Sequence, residues 1–333
     1  MTLKIGINGI GRIGRCVLRA AKARALDVEF TAINDLSEVD NLAYLLRRDS
    51  VHGRFDGEVK ADGNAIMVDG HRIPVSSQRA ISDLDWNGAD IVMECTGVFT
   101  ARDAAAQHLD QGASKVLVSA PGKGVDATVV YGVNNAALEA GHTVVSNGSC
   151  TTNALAPVAK VLDDAFGIVN GFMTTVHAYT GGQPVLDAPS AKDWARGRAG
   201  AINIVPTSTG AARAISLVLP ELEGKLDGAA VRVPVADVSV VDLKVRVEKN
   251  TTVEEVNAAF AEAAGGSMKG VLQVVSDPLV SSDLIGDPHS SSQVPGETAV
   301  VGGDFVRVLS WYDNEWGFSN RMLDVAMLMH ETR

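Results

Sequence analysis

Cys150 is the residue of this chain whose position most clearly favours chemistry. It follows the apolar run Val144 to Ser146 and the turn-forming pair Asn147-Gly148, and a helical pattern begins beside it. Ser149 is predicted to be the N-cap of that helix, which puts Cys150 in the first helical turn. There the unpaired backbone N–H groups and the positive end of the helix dipole favour a thiolate over a thiol. Cys150 is therefore the candidate nucleophile, although a small buried residue at a helix start fits the same local pattern.

A glycine-rich motif near the N-terminus predicts a dinucleotide site. Gly9-Ile10-Gly11-Arg12-Ile13-Gly14 follows the apolar, strand-like run Leu3 to Asn8 and precedes a helical pattern. Gly9 permits a tight turn, and Gly11 lets a pyrophosphate approach the backbone. Gly14 lets the helix pack closely on the sheet. The motif alone is a weak signal, and its position between a strand and a helix makes it a strong one.

The next strand-like run ends at Asp35, about twenty residues beyond the glycine motif. A carboxylate there is placed to accept hydrogen bonds from both hydroxyl groups of the adenosine ribose. A 2′-phosphate would meet that negative charge, so the sequence predicts NAD as the cofactor. Ser37 and Arg79 leave additional use of NADP open.

Composition excludes several classes of partner. The chain has 333 residues, is 46% hydrophobic and carries a formal net charge of −11, which argues against nucleic acid or an anionic membrane as the main partner. No apolar run approaches the roughly eighteen residues of a transmembrane helix, and the early first strand leaves no room for a secretory signal. Cys16, Cys95 and Cys150 have no metal-ligand spacing, so we expect no metal site and a reducing, cytoplasmic location.

Residues 1 to 149 alternate strand-like and helix-like patterns, which predicts an α/β fold with a parallel, doubly wound, Rossmann-type sheet. The expected strands are Leu3 to Asn8, Val28 to Asn34, Asp90 to Cys95, Lys115 to Ser119 and Thr143 to Ser146, and the expected helices are Ile13 to Arg24, Val39 to Arg47 and Ala101 to Gln111. Turn dipeptides between residues 58 and 77 predict inserted hairpins.

From residue 150 onward the pattern favours an α+β domain with a mainly antiparallel sheet. The expected helices are Thr151 to Phe166, Thr252 to Ala264 and Asn320 to His330, and the expected strands are Gly171 to His177, Val231 to Val235, Val238 to Glu248 and Gly270 to Val275. The segment from Tyr179 to Asn203 has little periodicity, and its length indicates a functional or interface loop.

Motifs along nearly the whole chain resemble those of the phosphorylating glyceraldehyde-3-phosphate dehydrogenases. The matching stretches, in order, are Ile7 to Arg15, Ser146 to Asn153, Thr174 to Thr180, Pro206 to Ala212, Arg232 to Pro234 and Trp311 to Gly317. The resemblance implies an NAD-binding domain at residues 1–149, completed by a C-terminal helix at about 316–333. It implies a catalytic domain at 150–315 and a homotetramer in which the loop near 179–203 lies at a subunit interface.

The same resemblance implies roles for individual residues. Cys150 is the implied nucleophile and His177 the base that activates it. The implied cofactor contacts are Arg12, Ile13, Asp35, Arg79, Ser119 and Asn314, the last holding the nicotinamide carboxamide. Ser149, Thr151, Thr209 and Gly210 resemble the site for inorganic phosphate. Thr180 and Arg232 resemble the site for the phosphate of the substrate, and Arg196 fits either site.

The implied reaction is the NAD-dependent oxidation of glyceraldehyde 3-phosphate with inorganic phosphate, a step of glycolysis and gluconeogenesis. Cys150 adds to the aldehyde, hydride passes to the nicotinamide, and phosphate releases the resulting thioester as an acyl phosphate. One departure concerns the cofactor: Ala188 is small where bulkier residues help to exclude NADP. Cofactor discrimination therefore stays open.

Three alternatives remain at this point. Erythrose-4-phosphate dehydrogenase shares the scaffold and the thiol chemistry, but Ser208-Thr209-Gly210 fits a phosphate-accepting enzyme better. A hydrolase could use Cys150, His177 and Asn314, which would leave the dinucleotide motif without a role. A catalytically silent NAD-binding or redox-sensing protein is the third, and intact Cys150 and His177 argue against it.

Overall fold

The computed structural model describes residues 2–86, 88–191 and 193–332, and the chain forms two compact units. The first unit comprises Met1–Val129, Asn135–Gly148 and Ser319–Arg333, and the second comprises Val130–Asn134 and Ser149–Phe318. Among the described residues, none of the helices combines the length and the apolar character needed to cross a lipid bilayer.

The first unit is built from the alternation that the sequence predicts. Its strands are β1 (Leu3–Asn8), β2 (Val28–Asn34), β3 (Arg48–Asp49), β4 (Gly53–Arg54), β5 (Val59–Asp62), β6 (Ala65–Val68), β7 (His71–Ser76), β8 (Ile91–Glu94), β9 (Lys115–Val118), β10 (Ala127–Thr128) and β11 (Val144–Ser146). Its helices are α1 (Arg12–Ala23), α2 (Val39–Arg47) and α3 (Arg102–Ala105).

The large sheet of the first unit has the strand order β10-β11-β9-β8-β1-β2-β7-β6-β5. Every pair from β10 to β7 is parallel, and β7, β6 and β5 form the antiparallel hairpins expected between residues 58 and 77. Consecutive residues of β8 and β9 are buried, as in parallel strands that are covered on both faces. Chain order reverses at β1, and ligands of open α/β sheets bind beyond the carboxyl ends of the strands at such a point.

The second unit contains strands β12 (Ile168–Ala178), β13 (Val205–Ser208), β14 (Leu226–Val233), β15 (Ser239–Val247), β16 (Leu272–Val274), β17 (Ser291–Gln293), β18 (Ala299–Val301) and β19 (Phe305–Tyr312). Its helices are α4 (Cys150–Phe166) and α5 (Val253–Gly265). Helix α6 (Trp316–Glu331) begins in the second unit, and its residues from Ser319 onward belong to the first.

The sheet of the second unit has the order β13-β14-β12-β15-β19-β17-β16, with β18 on β19, and most of its pairs are antiparallel. Strands β12 and β14 form a parallel pair that places His177 directly beside Arg232. Strand β15 begins at Ser239, which pairs with Tyr312 at the end of β19. These residues therefore share one end of the sheet. The α/β and α+β classes predicted from the sequence are confirmed.

The structure differs from the sequence-based prediction in several elements. The helix expected from Ala101 to Gln111 has a single α-helical turn, α3, and then a 3₁₀-helix at Ala106–Gln111. The strand expected at Val231 to Val235 begins earlier and ends at Val233, because Pro234 has no N–H to donate to a neighbouring strand. Strands β13, β17, β18 and β19 were not predicted, although β19 alternates between buried and more exposed residues.

A substitution at Gly6 in β1 tests how closely the first unit is packed. A Cβ atom at Gly6 would lie 2.7 Å from the Trp86 ring, whereas one at Gly141 would meet no atom within 4 Å. We expect Gly6→Ala to destabilise the protein by about 1–3 kcal/mol through overpacking, measured by calorimetric thermal unfolding. Gly141→Ala is the matched control and should be neutral or slightly stabilising. An equal melting temperature for both variants would show that the packing at Gly6 is loose.

Candidate active site

Cys150 and His177 lie in hydrogen-bonding contact in the second unit. Cys150 is the first residue of α4, and the Ser149 hydroxyl caps that helix by accepting a hydrogen bond from the Thr152 N–H at 3.0 Å. His177 lies near the end of β12 and is 3% exposed. The Cys150 Sγ and His177 Nε2 atoms are 3.4 Å apart. The arrangement is a thiol facing a base across a distance that allows proton transfer.

The second ring nitrogen of His177 faces Arg232 and a backbone carbonyl. His177 Nδ1 lies 2.7 Å from the Ala178 carbonyl oxygen and 2.7 Å from Arg232 Nη1. Arg232 Nη1 also donates to that carbonyl at 2.9 Å. For Nε2 to accept the thiol proton, Nδ1 must carry the ring hydrogen and donate it to the Ala178 carbonyl, so Arg232 donates to that carbonyl and not to Nδ1. The carbonyl contact fixes the plane of the imidazole ring and aims Nε2 at the sulfur.

Burial and charge act in opposite directions on this pair. Burial raises the pKa of the Cys150 thiol, whereas the Arg232 guanidinium and the Thr151 hydroxyl and N–H groups lower it. Burial, followed by the charge of Arg232, lowers the pKa of His177 to about 3. The imidazole therefore does not take up a proton from water near neutral pH.

Proton transfer from Cys150 to His177 differs from uptake of a proton from water. It creates two opposite charges 3.4 Å apart, whose attraction is about 5 kcal/mol at an effective protein dielectric constant of about 20. This attraction offsets part of the cost of burial for the pair. His177 is therefore better suited to accept a proton from Cys150 than from water.

Tyr312 belongs to the site and was missing from the sequence-based candidates. Its hydroxyl lies 2.9 Å from the hydroxyl groups of both Thr151 and Thr175. Its ring meets the His177 ring edge-on, with the centroids 5.9 Å apart. Burial raises the pKa of Tyr312, so the phenol stays protonated. The period-two pattern of β19, which ends at Tyr312, is the sequence signal that could have indicated it.

The four residues predicted to bind inorganic phosphate differ in their hydrogen-bond partners and in their exposure. Ser149 is used as the helix cap, and Thr151 is buried against Tyr312. Thr209 accepts a hydrogen bond from the Ala211 N–H at 3.1 Å, and Gly210 is exposed beside it. The N-terminus of α4 carries no acidic residue in its first turn, as an anion site requires.

Arg232 and Arg196 add positive charge near His177. Burial, and then the charge of Arg196, lowers the pKa of Arg232, and Arg196 also lowers the pKa of His177. Nε of Arg232 is buried and has no hydrogen-bond partner among the described residues. Thr180 is partly buried just beyond the end of β12. Two guanidinium groups, one of which has an N–H donor without a partner among the described residues, fit the phosphate of a substrate.

Asn314 is held in a fixed orientation within the second unit. The Ser239 hydroxyl donates to Asn314 Oδ1 at 2.7 Å, and the same hydroxyl accepts a hydrogen bond from the Ala178 N–H at 3.0 Å. Because Ser239 occupies the carbonyl end of the amide, Nδ2 faces away from it as a donor. This geometry suits a residue that holds the oxygen of a carboxamide.

A cavity of about 360 Å³ lies at the carboxyl ends of β1, β2 and β8 in the first unit. Its lining includes four of the predicted cofactor residues, namely Gly9, Gly11, Asp35 and Arg79. The other four that lie in this unit, Arg12, Ile13, Gly14 and Ser119, are not part of the lining. Arg12 forms an ion pair with Asp49, and Ser119 follows the end of β9 and hydrogen-bonds Cys95.

The glycine turn has the geometry that a bound dinucleotide needs. Gly9 has a φ of +89°, and a Cβ at Gly14 would lie 2.5 Å from the Gly9 carbonyl oxygen. A Cβ at Gly11 would meet no protein atom within 4 Å, so this glycine leaves the cavity side open. Asp35 accepts the Ile10 N–H at 3.0 Å and the Ser37 N–H at 2.9 Å, and its oxygens have lone pairs left for ribose hydroxyls. The residues present fit NAD.

Comparison with known proteins identifies the family of this chain. The family model described as "Glyceraldehyde 3-phosphate dehydrogenase, NAD binding domain" matches residues 3–102, and the model of the C-terminal domain matches residues 149–314. The chain is 57% identical to a glyceraldehyde-3-phosphate dehydrogenase of Cereibacter sphaeroides and 56% identical to one of Xanthobacter flavus, each over 99% of both chains. It is 54% identical to glyceraldehyde-3-phosphate dehydrogenase 1 of Bacillus subtilis over 98% of both chains. The chain belongs to the glyceraldehyde-3-phosphate dehydrogenase family and is an NAD-dependent dehydrogenase.

Proposed function

We propose that this enzyme converts D-glyceraldehyde 3-phosphate, NAD and inorganic phosphate into 1,3-bisphosphoglycerate through a covalent thioester on Cys150. The observation that carries the proposal is the 3.4 Å contact between Cys150 Sγ and His177 Nε2. An aldehyde carbon releases hydride readily only after a nucleophile has added to it, and the contact supplies an activated nucleophile.

Attack by Cys150 begins the reaction. His177 Nε2 takes the proton of the thiol as the sulfur bonds to the aldehyde carbon, which gives a thiohemiacetal. The backbone N–H groups at the start of α4 and the protonated His177 stabilise the negative oxygen, and His177 then passes its proton to that oxygen, which completes the thiohemiacetal hydroxyl. His177 then accepts the hydroxyl proton as the carbon loses its hydride and becomes the carbonyl of a thioester.

Bound NAD supplies the hydride acceptor. Within the first unit, Gly9, Gly11, Asp35 and Arg79 line the cavity that would hold it, and Asp35 would accept hydrogen bonds from the ribose. We assign Arg12, Ile13 and Gly14 to the turn and helix start beside the pyrophosphate, Ser119 to the end of β9, and Asn314 to the carboxamide.

Inorganic phosphate then attacks the thioester carbonyl, the Cys150 sulfur leaves, and an acyl phosphate is released. Ser149, Thr151, Thr209 and Gly210 form the proposed site for the attacking phosphate. Thr180 and Arg232 form the proposed site for the substrate phosphate, and Arg196 serves either. Because the chain has a net charge of −11, its overall field repels a phosphate anion. Arg196 and Arg232 supply the positive charge that attracts the anion locally.

The proposed domains separate cofactor binding from the thiol chemistry. We propose that residues 1–149 and 316–333 bind NAD and that residues 150–315 carry the thiol chemistry. The first compact unit contains the glycine turn and the cavity, and the second contains Cys150 and His177, which supports the assignment. We also propose a cytoplasmic location, because the three cysteines are free thiols.

We propose a homotetramer in which the loop at residues 179–203 lies at a subunit interface. In and next to this loop, large apolar side chains are at least 70% exposed, namely Val185, Leu186, Trp194, Ile202 and Ile204. Exposed apolar patches of this kind mark interaction surfaces. Sedimentation velocity should give the mass of four chains, and a monomer at micromolar concentration would contradict the proposal.

Initial rates test the function directly. With NAD, we expect oxidation of glyceraldehyde 3-phosphate to depend on inorganic phosphate and to exceed oxidation of erythrose 4-phosphate. NADP in place of NAD should lower kcat/KM, because Asp35 disfavours a 2′-phosphate. Cys150→Ser should abolish turnover while calorimetry shows that NAD still binds. Phosphate-independent turnover with preference for erythrose 4-phosphate would favour erythrose-4-phosphate dehydrogenase instead.

Alkylation tests the proton transfer. At pH 7 we expect iodoacetamide to label Cys150 in preference to Cys16 and Cys95, as shown by peptide mapping. His177→Asn should slow labelling at least tenfold at pH 7, because burial then raises the pKa of the thiol without a base to offset it. The difference should narrow as the pH rises towards 10, because hydroxide then increasingly removes the proton in both proteins.

His142→Asn, which changes a histidine of the first unit, is the control and should leave the pH profile of labelling unchanged. A His177→Asn profile that overlays the wild-type profile would show that His177 is not the base for this thiol.

A further inference from the structure

We propose that Glu94 is a positioning residue for the cofactor cavity, although it does not line that cavity. Its buried carboxylate connects residues at the ends of β1, β2, β7 and β8 into one hydrogen-bonded network. The inference rests on the proposed NAD site, and it adds residues to that site to which neither the sequence motifs nor the comparisons assign a role.

Glu94 ends β8 and is 1% exposed. Its Oε1 accepts hydrogen bonds from the Thr96 N–H at 2.8 Å and from the Thr96 hydroxyl. Its Oε2 accepts from Asn8 Nδ2 at 2.6 Å and contacts His108 Nε2 at 3.1 Å. Among the described residues no lysine or arginine forms an ion pair with it. A buried carboxylate of this kind is tolerated only where donors surround it.

His108 is oriented by Trp86. The Trp86 indole N–H donates to His108 Nδ1 at 3.1 Å, and an indole nitrogen can only donate. Nδ1 is therefore the acceptor of the ring, so Nε2 carries the hydrogen and donates to Glu94. Both side chains are almost completely buried, with His108 at 0% and Trp86 at 1% exposure. All four groups that meet the Glu94 oxygens are thus donors.

The network continues from Asn8 to the other side of the glycine turn. Asn34 Nδ2 donates to Asn8 Oδ1 at 2.8 Å and to the Gln78 carbonyl oxygen at 3.0 Å. Asn34 Oδ1 accepts from the Gln78 N–H at 2.9 Å and from the Ser76 hydroxyl at 3.0 Å. Every bond has one possible direction, because the carboxylate at the end of the network can only accept.

The lining of the cavity depends on this network. Asn8, Asn34, Gln78 and Thr96 all line the cavity, and each belongs to a different loop or strand end. Glu94 is the group that joins Thr96 to Asn8, and Asn34 extends the link to Gln78. Glu94 therefore acts on NAD through the residues that it holds in place, and its loss should change the affinity for NAD more than the chemistry.

Glu94→Gln is the direct test. An amide has only one accepting atom, so in either orientation its N–H₂ group would face a donor, and the network would lose at least one bond. We expect the Kd for NAD, measured by calorimetry, to rise about tenfold, as when a buried donor loses its partner. The KM for NAD should rise equally, and kcat at saturating NAD should stay within about twofold.

Asp126→Asn is a matched control in the same unit. Asp126 also accepts several hydrogen bonds, from the Arg102 side chain and from Thr143 and Val144, but it does not line the cavity or touch its lining. It should lower the melting temperature about as much as Glu94→Gln and leave the Kd for NAD unchanged. Equal weakening of NAD binding by both variants, or none by Glu94→Gln, would overturn the proposal.

His108→Leu is the second variant, because His108 is outside the cavity lining and donates a hydrogen bond to Glu94. It should also raise the Kd for NAD at nearly constant kcat. If neither variant folds while Asp126→Asn does, the network is purely structural and the proposal is wrong. If the wild-type protein itself fails to bind NAD, the proposed cofactor site fails and not the role of Glu94.

Discussion

The proposed chemistry of this enzyme depends on one contact, that between the Cys150 sulfur and the His177 Nε2 atom. A buried thiol resists losing its proton, and a buried imidazole beside Arg232 resists gaining one. Exchange of the proton between the two makes opposite charges in contact, and their attraction offsets part of both penalties. The rest of the second unit maintains this distance, with α4 supplying the sulfur and β12 the ring.

In both units, the side chains of the candidate sites are positioned at the ends of strands. In the second unit, His177, Arg232, Ser239 and Tyr312 come from four strands that share one end of the sheet. In the first unit, the cavity lies beyond the carboxyl ends of parallel strands. Glu94 does not line the cavity, and its hydrogen bonds connect residues that do. Rigid strands fix the side chains, and hydrogen bonds with one possible direction fix their orientation.

The features that depend on local sequence patterns could be predicted from the sequence. The glycine turn, the helix that begins at Cys150 and the alternation of the first unit follow from turn chemistry, capping and periodicity. The sequence was insufficient where partners are distant along the chain. The approach of Tyr312 to Thr151, of Ser239 to Asn314 and of Glu94 to His108 depends on strand register that no local pattern contains. Strand β19 was also not predicted, although its residues alternate between buried and more exposed positions.

Mass spectrometry of the acyl-enzyme tests the central claim most directly. The protein is mixed with glyceraldehyde 3-phosphate and NAD without inorganic phosphate, quenched in acid and digested. The account predicts a 3-phosphoglyceroyl adduct on the peptide that contains Cys150, and this adduct should disappear when phosphate is added before quenching. Turnover with no adduct on Cys150, or an adduct that phosphate does not remove, would contradict covalent catalysis at this residue.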